Sequence, residues 1–353
     1  MTVRSTTRFA INRLDMRSPS AFAASALLAE QLGFGAACIP SSPLLVQDPY
    51  VLLAQALAAT TTLQLGPLIE NPVTRHPAVI AGSIATLERL APGRTWLGLG
   101  AGDTAVRLLG LQPARIAELE AATRLVRQLL AREGVEVGAA ALARLRHAAP
   151  VPVWIAAQGP RTLRMAGRVA DGVFLRAGRA PAVLAHAIAQ VRAGAAEAGR
   201  DPAEMKFSLV LHTVLDDDLE RTDVVARAIA AGYHEYSPAL FGLAGLRWNG
   251  PDVHALRQQV WPDFHHAADL HAAGQHVAFL GRDAMHAFAL HGNAAQVRAQ
   301  LSATLVVAGT LGVRFEIVVL HPVPVHPGPQ DTAAVLERFA AELLLPLRHE
   351  IAT

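Results

Sequence analysis

The stretch from Val151 to Gly178, VPVWIAAQGPRTLRMAGRVADGVFLRAG, restricts this chain more than any other. Pro152 to Ala157 is a short apolar run bounded by proline and glycine, with the content of a buried strand. Gln158-Gly159-Pro160 breaks it, and Pro160 fits a first helical turn, where its missing N–H is not needed. Thr162, Leu163, Met165 and Ala166 follow at helical spacing up to Ala170. Asp171-Gly172 ends that helix, and Val173 to Leu175 reads as a second strand. Two strands joined by so short a helix must run parallel through a right-handed crossover. The turn sets the N–H groups of Gly159, Arg161 and Thr162 at a helix N-terminus, with the Arg161 side chain and Thr162 hydroxyl beside them. Such a turn is either a phosphate cradle or an ordinary connection whose glycine serves only the bend.

The same alternation fills the chain. Strands are expected at Arg8 to Leu14, Ala36 to Ile39, Leu63 to Ile69, Arg94 to Leu99, Pro152 to Ala157, Val173 to Leu175, Lys206 to Leu215 and Arg314 to Leu320. The intervening helices start from Ser18 or Ser20, Asp48-Pro49, His76-Pro77, Glu118, Pro160 and Pro181, and Glu337 to Glu350 closes the chain. Continuous apolar strands such as TWLGLG and FEIVVLHP suit a parallel sheet covered on both sides. With 52% apolar and only 5% aromatic residues, small aliphatic helices packed on such a sheet are the natural complement. The economical closure is an α/β fold, the (β/α)8 TIM barrel, as one domain over residues 1–353. An open doubly wound sheet is the alternative, but Gly98-Leu99-Gly100-Ala101-Gly102-Asp103 lacks the later glycine of a dinucleotide fingerprint. Residues from about 216 to 308 are too many for one connection and are read as an inserted helical section between strands seven and eight.

Composition excludes several classes of function. The net charge is +2 with dispersed arginines, so nothing points to nucleic acid or an anionic membrane surface. Cys38 is the single cysteine and lies in an apolar run, which excludes an internal disulfide and suits a buried small hydrophobe. No run has the length of a membrane span and the N-terminus lacks a signal-peptide core, so the reading is a soluble cytoplasmic protein.

A barrel places its chemistry at the carboxyl ends of the strands. There the chain offers Asn12 and Arg13, Ser41 and Ser42, Ile69 to Asn71, Gly102 and Asp103, Gln158 to Thr162, Arg176, His212 and Thr213, and His321. The set holds no paired-carboxylate centre, no GxSxG elbow and no HExxH, so no metal ligands are assigned. A mouth poor in nucleophiles implies that a cofactor brings the chemistry. His265, His266, His271 and His276 form a metal cluster on one reading and solvated positions of an amphipathic insertion helix on the other. Asp216 to Asp218 is read as a capping turn, and His76 as either catalytic or a helix cap. Asp103 follows glycines that let backbone approach a flat ligand; its other reading is an N-cap.

Taken together, DPYVLLAQALAA (Asp48 to Ala59), LGPLIENPVTRHP (Leu65 to Pro77), ATLERLAPGRTWLGLGAGDTAVRLLG (Ala85 to Gly110) and Val153 to Gly178 resemble the bacterial-luciferase-like monooxygenase superfamily. Within it they are similar to the branch that includes methylenetetrahydromethanopterin reductase. The resemblance covers roughly residues 8 to 230, with Arg314 to Pro322 as the eighth strand. It implies a usually dimeric barrel that binds FMN or the deazaflavin coenzyme F420. It also implies a cis non-proline peptide at Leu68-Ile69 behind the ring, Gly100, Gly102 and Asp103 beside the ring, and Ala157, Gln158, Gly159, Pro160, Arg161 and Thr162 at the phosphate. Ser42 belongs to the same cofactor set, and Asp103 is the candidate acid for supplying or relaying a proton.

This chain departs from the pattern in two places. Ser41-Ser42 stands where many deazaflavin members carry Asp-His, and Asn12 stands where many carry Glu. Both departures remove acid–base groups near the ring. The expected activity is hydride transfer to or from a small organic substrate with F420 or a flavin. The alternatives are an FMN-dependent monooxygenase fed by a partner flavin reductase, and a barrel that binds a ligand without catalysis. A metal-dependent hydrolase using the histidine-rich insertion is a further reading. Asn12, His212 and His321 are the candidate substrate contacts, and a homodimer is expected from the family.

Overall fold

The computed structural model describes residues 7–136, 138 and 142–347. Its strands are β1 (Arg8–Ile11), β2 (Ala36–Ile39), β3 (Gln64–Pro67), β4 (Leu97–Leu99), β5 (Val153–Ala157), β6 (Gly172–Leu175), β7 (Lys206–Leu215), β8 (Ala289–Gly292) and β9 (Phe315–Pro322). Its helices are α1 (Pro19–Gln31), α2 (Pro49–Ala59), α3 (Pro77–Leu90), α4 (Thr104–Arg107), α5 (Ile116–Leu130), α6 (Pro160–Val169), α7 (Pro181–Glu197), α8 (Leu219–Tyr236), α9 (Ala239–Leu243), α10 (Val253–Arg257), α11 (Leu270–Gln275), α12 (Arg282–Phe288), α13 (Ala294–Thr310) and α14 (Thr332–Phe339). The nine strands belong to one sheet, and the class is the (β/α)8 barrel expected from the alternation.

Helix starts follow the capping chemistry of the sequence. Ser18 Oγ accepts the Ala21 N–H, Asp48 accepts those of Tyr50 and Val51, and His76 Nδ1 accepts that of Ala78. Asp218 caps α8 through the Arg221 N–H, which gives the Asp216 to Asp218 run its structural role. Strand ends differ from expectation by one to three residues: β1 stops before Asn12, and Trp96 separates the bridged Thr95 from β4. The closing helix starts earlier than expected, as α14, and passes into a π-helical turn at Ala340–Leu344; residues 348–350 of that expectation lie outside the described residues.

The chain divides into two compact units. The first comprises Ala10–Phe174 and Gln190–Ser208. In it β1 pairs in parallel with β2, β2 with β3 and β4 with β5, and bridges Leu65–Thr95 and Glu70–Leu99 join the third and fourth strands. Its aromatic core is Trp96, Trp154 and Phe174, with Phe174 centroids 6.4 and 5.2 Å from the two indoles. Gly66 and Gly172 make room for those indoles: a Cβ on either would lie 2.5–2.7 Å from ring carbons of Trp96 or Trp154. Glu30 accepts the N–H groups of Thr61, Thr62 and Leu63 and so fixes the entry to β3. Burial opposes its ionisation, but these bonds outweigh burial and bring its pKa down to about 2.

The second unit comprises the residues up to Phe9, Leu175–Ala189 and the residues from Leu209 onward. Here β7 pairs in parallel with β8, from His212 opposite Ala289 to Leu215 opposite Gly292. The section expected to be an all-helical insertion therefore carries a strand of its own, followed by α13. Periodicity does not reveal it, because Ala289–Gly292 (ALHG) is four residues long and follows α12 without a break. Around Tyr233 the packing is aromatic: Phe288 stacks on it at 4.9 Å, and Phe241 stacks on Phe288 at 5.1 Å.

Candidate active site

The first unit carries most of the predicted cofactor residues. The Leu68–Ile69 peptide is cis, at the position implied by the resemblance. Four backbone hydrogen bonds hold it from both sides. From β2, the Ile39 carbonyl accepts the Leu68 N–H (2.8 Å), and the Ser41 N–H donates to the Ile69 carbonyl (3.1 Å). From β4, the Glu70 N–H donates to the Gly98 carbonyl (2.8 Å), and the Glu70 carbonyl accepts the Gly100 N–H (3.0 Å). The Ile69 side chain lies against Gly100, where a Cβ would meet its Cδ1. Gly102 has φ +75, a conformation that favours glycine, and a Cβ there would also press on Val106 and Asn71. The result is a rigid wall of backbone and one flat aliphatic side chain.

Asp103 occupies the N-cap position of α4, but its side chain makes no capping bond. Its carboxylate instead pairs with Arg107 one turn on, and both side chains are partly exposed. A proton relay through Asp103 requires that pair to open.

At the phosphate turn, Gly159 is the N-cap of α6 with φ −79 and ψ 151, which any residue adopts. A Cβ on Gly159 would meet nothing within 4 Å, so neither conformation nor internal packing calls for glycine there. The open space before the helix N-terminus is what a bound phosphate needs. Two buried polar atoms at these strand ends, Gln158 Nε2 and Ser42 Oγ, have no partner. Arg161 is exposed and Thr162 partly so. The residues present thus fit a planar ring against Ile69 and a phosphate at Gly159.

Sequence reasoning placed Glu70 at a strand end without giving it a role. It is fully buried. Its Oε1 accepts the Asn71 N–H at 2.8 Å, and Oε2 faces Arg75 Nε at 3.2 Å. Arg75 also pairs with Asp48 at 2.6 Å and lies over the Tyr50 ring. Burial pushes the Glu70 carboxyl above its ordinary range, against the pull of the Asn71 N–H, Arg75 and the Ser41 and Tyr50 hydroxyls. The cluster ties α2 and the loop before α3 to the cis peptide. Its one sequence signal is an acid directly after an apolar strand.

The second unit brings His212 and His321 together, with ring centroids 4.8 Å apart. His265 lies 4.7 Å from His212. It is buried in a turn after α10, not on a solvated helix face as the sequence reading had it. Its ring covers Gly232 of α8, where a Cβ would collide with it. His265 Nε2 donates to the Ile229 carbonyl at 3.0 Å, and burial lowers its pKa to about 3. Asp263 accepts His266 Nδ1 at 2.7 Å and the N–H groups of both histidines. Among the described residues no group of three His, Cys, Asp or Glu side chains is arranged to hold a metal. Tyr233 Oη is 3.3 Å from His212 Nδ1. Burial, then the neighbouring His265, His321 and Arg176, drive His212 toward its neutral form. Arg176, at the end of β6, has its Nε buried without a partner. Asn12, the third substrate candidate, lies in the first unit directly after β1.

Parallel strands alternating with helices around one sheet define a (β/α)8 barrel. Residues 2–311 match the family described as luciferase-like monooxygenase, and the chain belongs to that family. It is 34% identical over 217 residues to 5,10-methylenetetrahydromethanopterin reductase of Methanolobus tindarius, covering 58% of this chain and 65% of that one. It is 35% identical over 177 residues to F420-dependent glucose-6-phosphate dehydrogenase of Nakamurella multipartita, covering 46% and 52%. The chain thus spans between about half and two-thirds of the length of these relatives. The coenzyme F420 dependent tetrahydromethanopterin reductase of Methanopyrus kandleri has a similar structure, with TM-score 0.74, 24% identity and coverage of 96% and 99%. An F420-dependent secondary alcohol dehydrogenase follows at TM-score 0.70, 20% identity and coverage of 96% and 98%. At these identities the structural likeness shows the fold alone. Among the described residues no helix is long and apolar enough to cross a membrane.

Proposed function

We propose that this chain is an F420- or flavin-dependent oxidoreductase that transfers hydride to or from a small organic substrate. The observation that carries the reading is the Ile69 side chain set against Gly100 between β2 and β4, with an open Gly159 turn ahead of α6. That wall is suited to bend and orient a tricyclic ring, and the Gly159 turn to hold its phosphate. The bound cofactor supplies the hydride-accepting or hydride-donating ring. The protein contributes orientation, exclusion of water and, through Asp103 once released from Arg107, a proton relay. The F420-dependent relatives favour the deazaflavin over FMN. We further read the protein as a cytoplasmic homodimer. Leu44, Leu45 and Val51, exposed within one short stretch, would suit self-association, and light scattering of the purified protein tests it.

Equilibrium binding of F420 and of FMN to one cofactor-free preparation tests the reading. Tight F420 binding with weak FMN binding is expected. The reverse order points to a reduced-flavin monooxygenase served by a separate flavin reductase. Binding of neither overturns the proposal in favour of a barrel without redox cofactor.

A further inference from the structure

We infer that Arg176 and His212 form a subsite for an oxyanion, a carboxylate or phosphate group carried by the substrate. The occupant's being a substrate rests on the oxidoreductase reading above; the binding chemistry does not.

Arg176 is half-buried, and a guanidinium drawn partly out of water normally has a carboxylate or carbonyl partner. Arg176 Nε is buried without a partner, and among the described residues Arg176 makes no ion pair or hydrogen bond. The carboxylates of the same cluster are engaged elsewhere. Asp263 is held by His266 Nδ1 at 2.7 Å, and Glu235 by Arg257 at 3.1 Å and by the Phe264 N–H. The charge of Arg176 acts on His212, Tyr233 and His265, and all three are driven toward their neutral forms by burial first. The carboxylates of the cluster are thus taken, and the Arg176 guanidinium is left without a protein partner.

The neighbouring hydrogen bonds set the polarity of His212. The Gly178 N–H acts on the Tyr233 hydroxyl oxygen and favours it as an acceptor. The Tyr233 hydroxyl proton is then free for His212 Nδ1, 3.3 Å away. With Nδ1 accepting, the proton of neutral His212 sits on Nε2, so the ring presents a donor. A guanidinium and an imidazole N–H, with no acidic group left to compete, select an oxyanion over a neutral group. The tilted rings of His265 and His321 pack against His212 at 4.7 and 4.8 Å and restrict its orientation.

Calorimetric titration of the cofactor-free full chain with inorganic phosphate and, separately, with succinate tests this. The wild type is expected to bind at least one of the two, and the anion it prefers tells phosphate from carboxylate. Arg176→Met should weaken that binding by about tenfold or more. Arg176→Lys, which keeps the charge but loses the fork, should fall between them. Arg314→Gln removes an exposed arginine before β9 and should change nothing. Absence of anion binding in the wild type, or binding that survives Arg176→Met, overturns the inference; the second result would place the anion at the Gly159 turn instead. Cofactor affinity measured on Arg176→Met should match the wild type, and a parallel loss would assign Arg176 to the cofactor and also overturn it. If no variant binds either cofactor while Arg176→Met still loses the anion, the subsite stands and the oxidoreductase reading falls.

Discussion

Two glycines of β4 and its exit, Gly98 and Gly100, face different kinds of neighbour, and their alanine variants should part company. In both, the new methyl group meets β3 or the residues just after it. At Gly98 the nearest atom is the Pro67 carbonyl oxygen, which is backbone and cannot swing away. At Gly100 it is Ile69 Cδ1, the end of a side chain, with Cγ1 next at 3.4 Å. Replacing glycine by alanine in an extended segment returns about 0.5–1 kcal/mol of chain entropy. Moving Ile69 off its rotamer costs about 0.5–1.5 kcal/mol, so Gly100→Ala should change stability by less than about 1 kcal/mol. Forcing the strands apart at Gly98 costs about 1–3 kcal/mol or more. It also endangers the 2.8 Å bond from the Glu70 N–H to the Gly98 carbonyl, worth about 1 kcal/mol. Gly98→Ala should therefore lower the urea midpoint clearly, and Gly100→Ala hardly at all.

Cofactor affinity should respond differently. Gly100→Ala displaces the one side chain in the wall, so F420 or FMN binding should weaken by about fivefold to tenfold, roughly 1–1.4 kcal/mol. Adding Ile69→Val deletes Cδ1 and leaves only contacts of 3.4 Å and beyond, so the double variant should recover most of that loss. No such rescue is available to Gly98→Ala. Equal stability of the two alanine variants, or a double variant as weak as Gly100→Ala alone, would refute the reasoning.

Asp103→Asn should cost less than about 1 kcal/mol, because the pair with Arg107 is partly exposed; under the proposed role it should lower turnover while cofactor affinity holds, and unchanged turnover would remove Asp103 from the chemistry. Neutral His265 is favoured in the fold, with a pKa of about 3 against 6.5 in a free chain, so the unfolded chain binds more protons between those values. Stability should therefore be complete above about pH 6.5 and decline as the pH falls toward 3, and His265→Gln should flatten the urea midpoint between pH 7 and 5. His212 and His291 are shifted in the same direction, so some slope should remain in that variant. Cys38 is buried with Sγ 3.8 Å from the Ile11 carbonyl, and burial pushes the thiol's pKa up; a thiol reagent at pH 8 should leave it unmodified in the native protein and titrate one equivalent in denaturant.

Local chemistry made much of the fold legible. Prolines at the first turns of α2, α3 and α6, with Asp48 and His76 before two of them, and Ser18 ahead of α1 marked helix starts that need no tertiary information. Ala36–Ile39 was bounded correctly because turn residues flank an unbroken apolar run, and Lys206–Leu215 because a largely apolar run lies between Pro202 and the acidic Asp216 to Asp218. β8 escaped because four residues joined directly to a helix carry no period.

The chemistry-bearing residues were harder to read, because their character depends on which partners the fold withholds. His265 and His266 are adjacent and identical in type. One is a neutral core ring donating to a backbone carbonyl; the other is half-open and paired with Asp263. Nothing in HHAADLHAAGQH distinguishes them, since burial there comes from α8 and Gly232, some thirty residues away. Arg176 and Arg179 pose the same problem three positions apart. Arg179 spends its guanidinium on the His286 carbonyl and Thr304, whereas Arg176 has a buried, unused Nε. An arginine spent on the protein holds the fold together, and an arginine left over is available to a ligand. That difference is a property of the neighbours that three-dimensional packing supplies or denies, so identical residue types in one loop can divide between architecture and function.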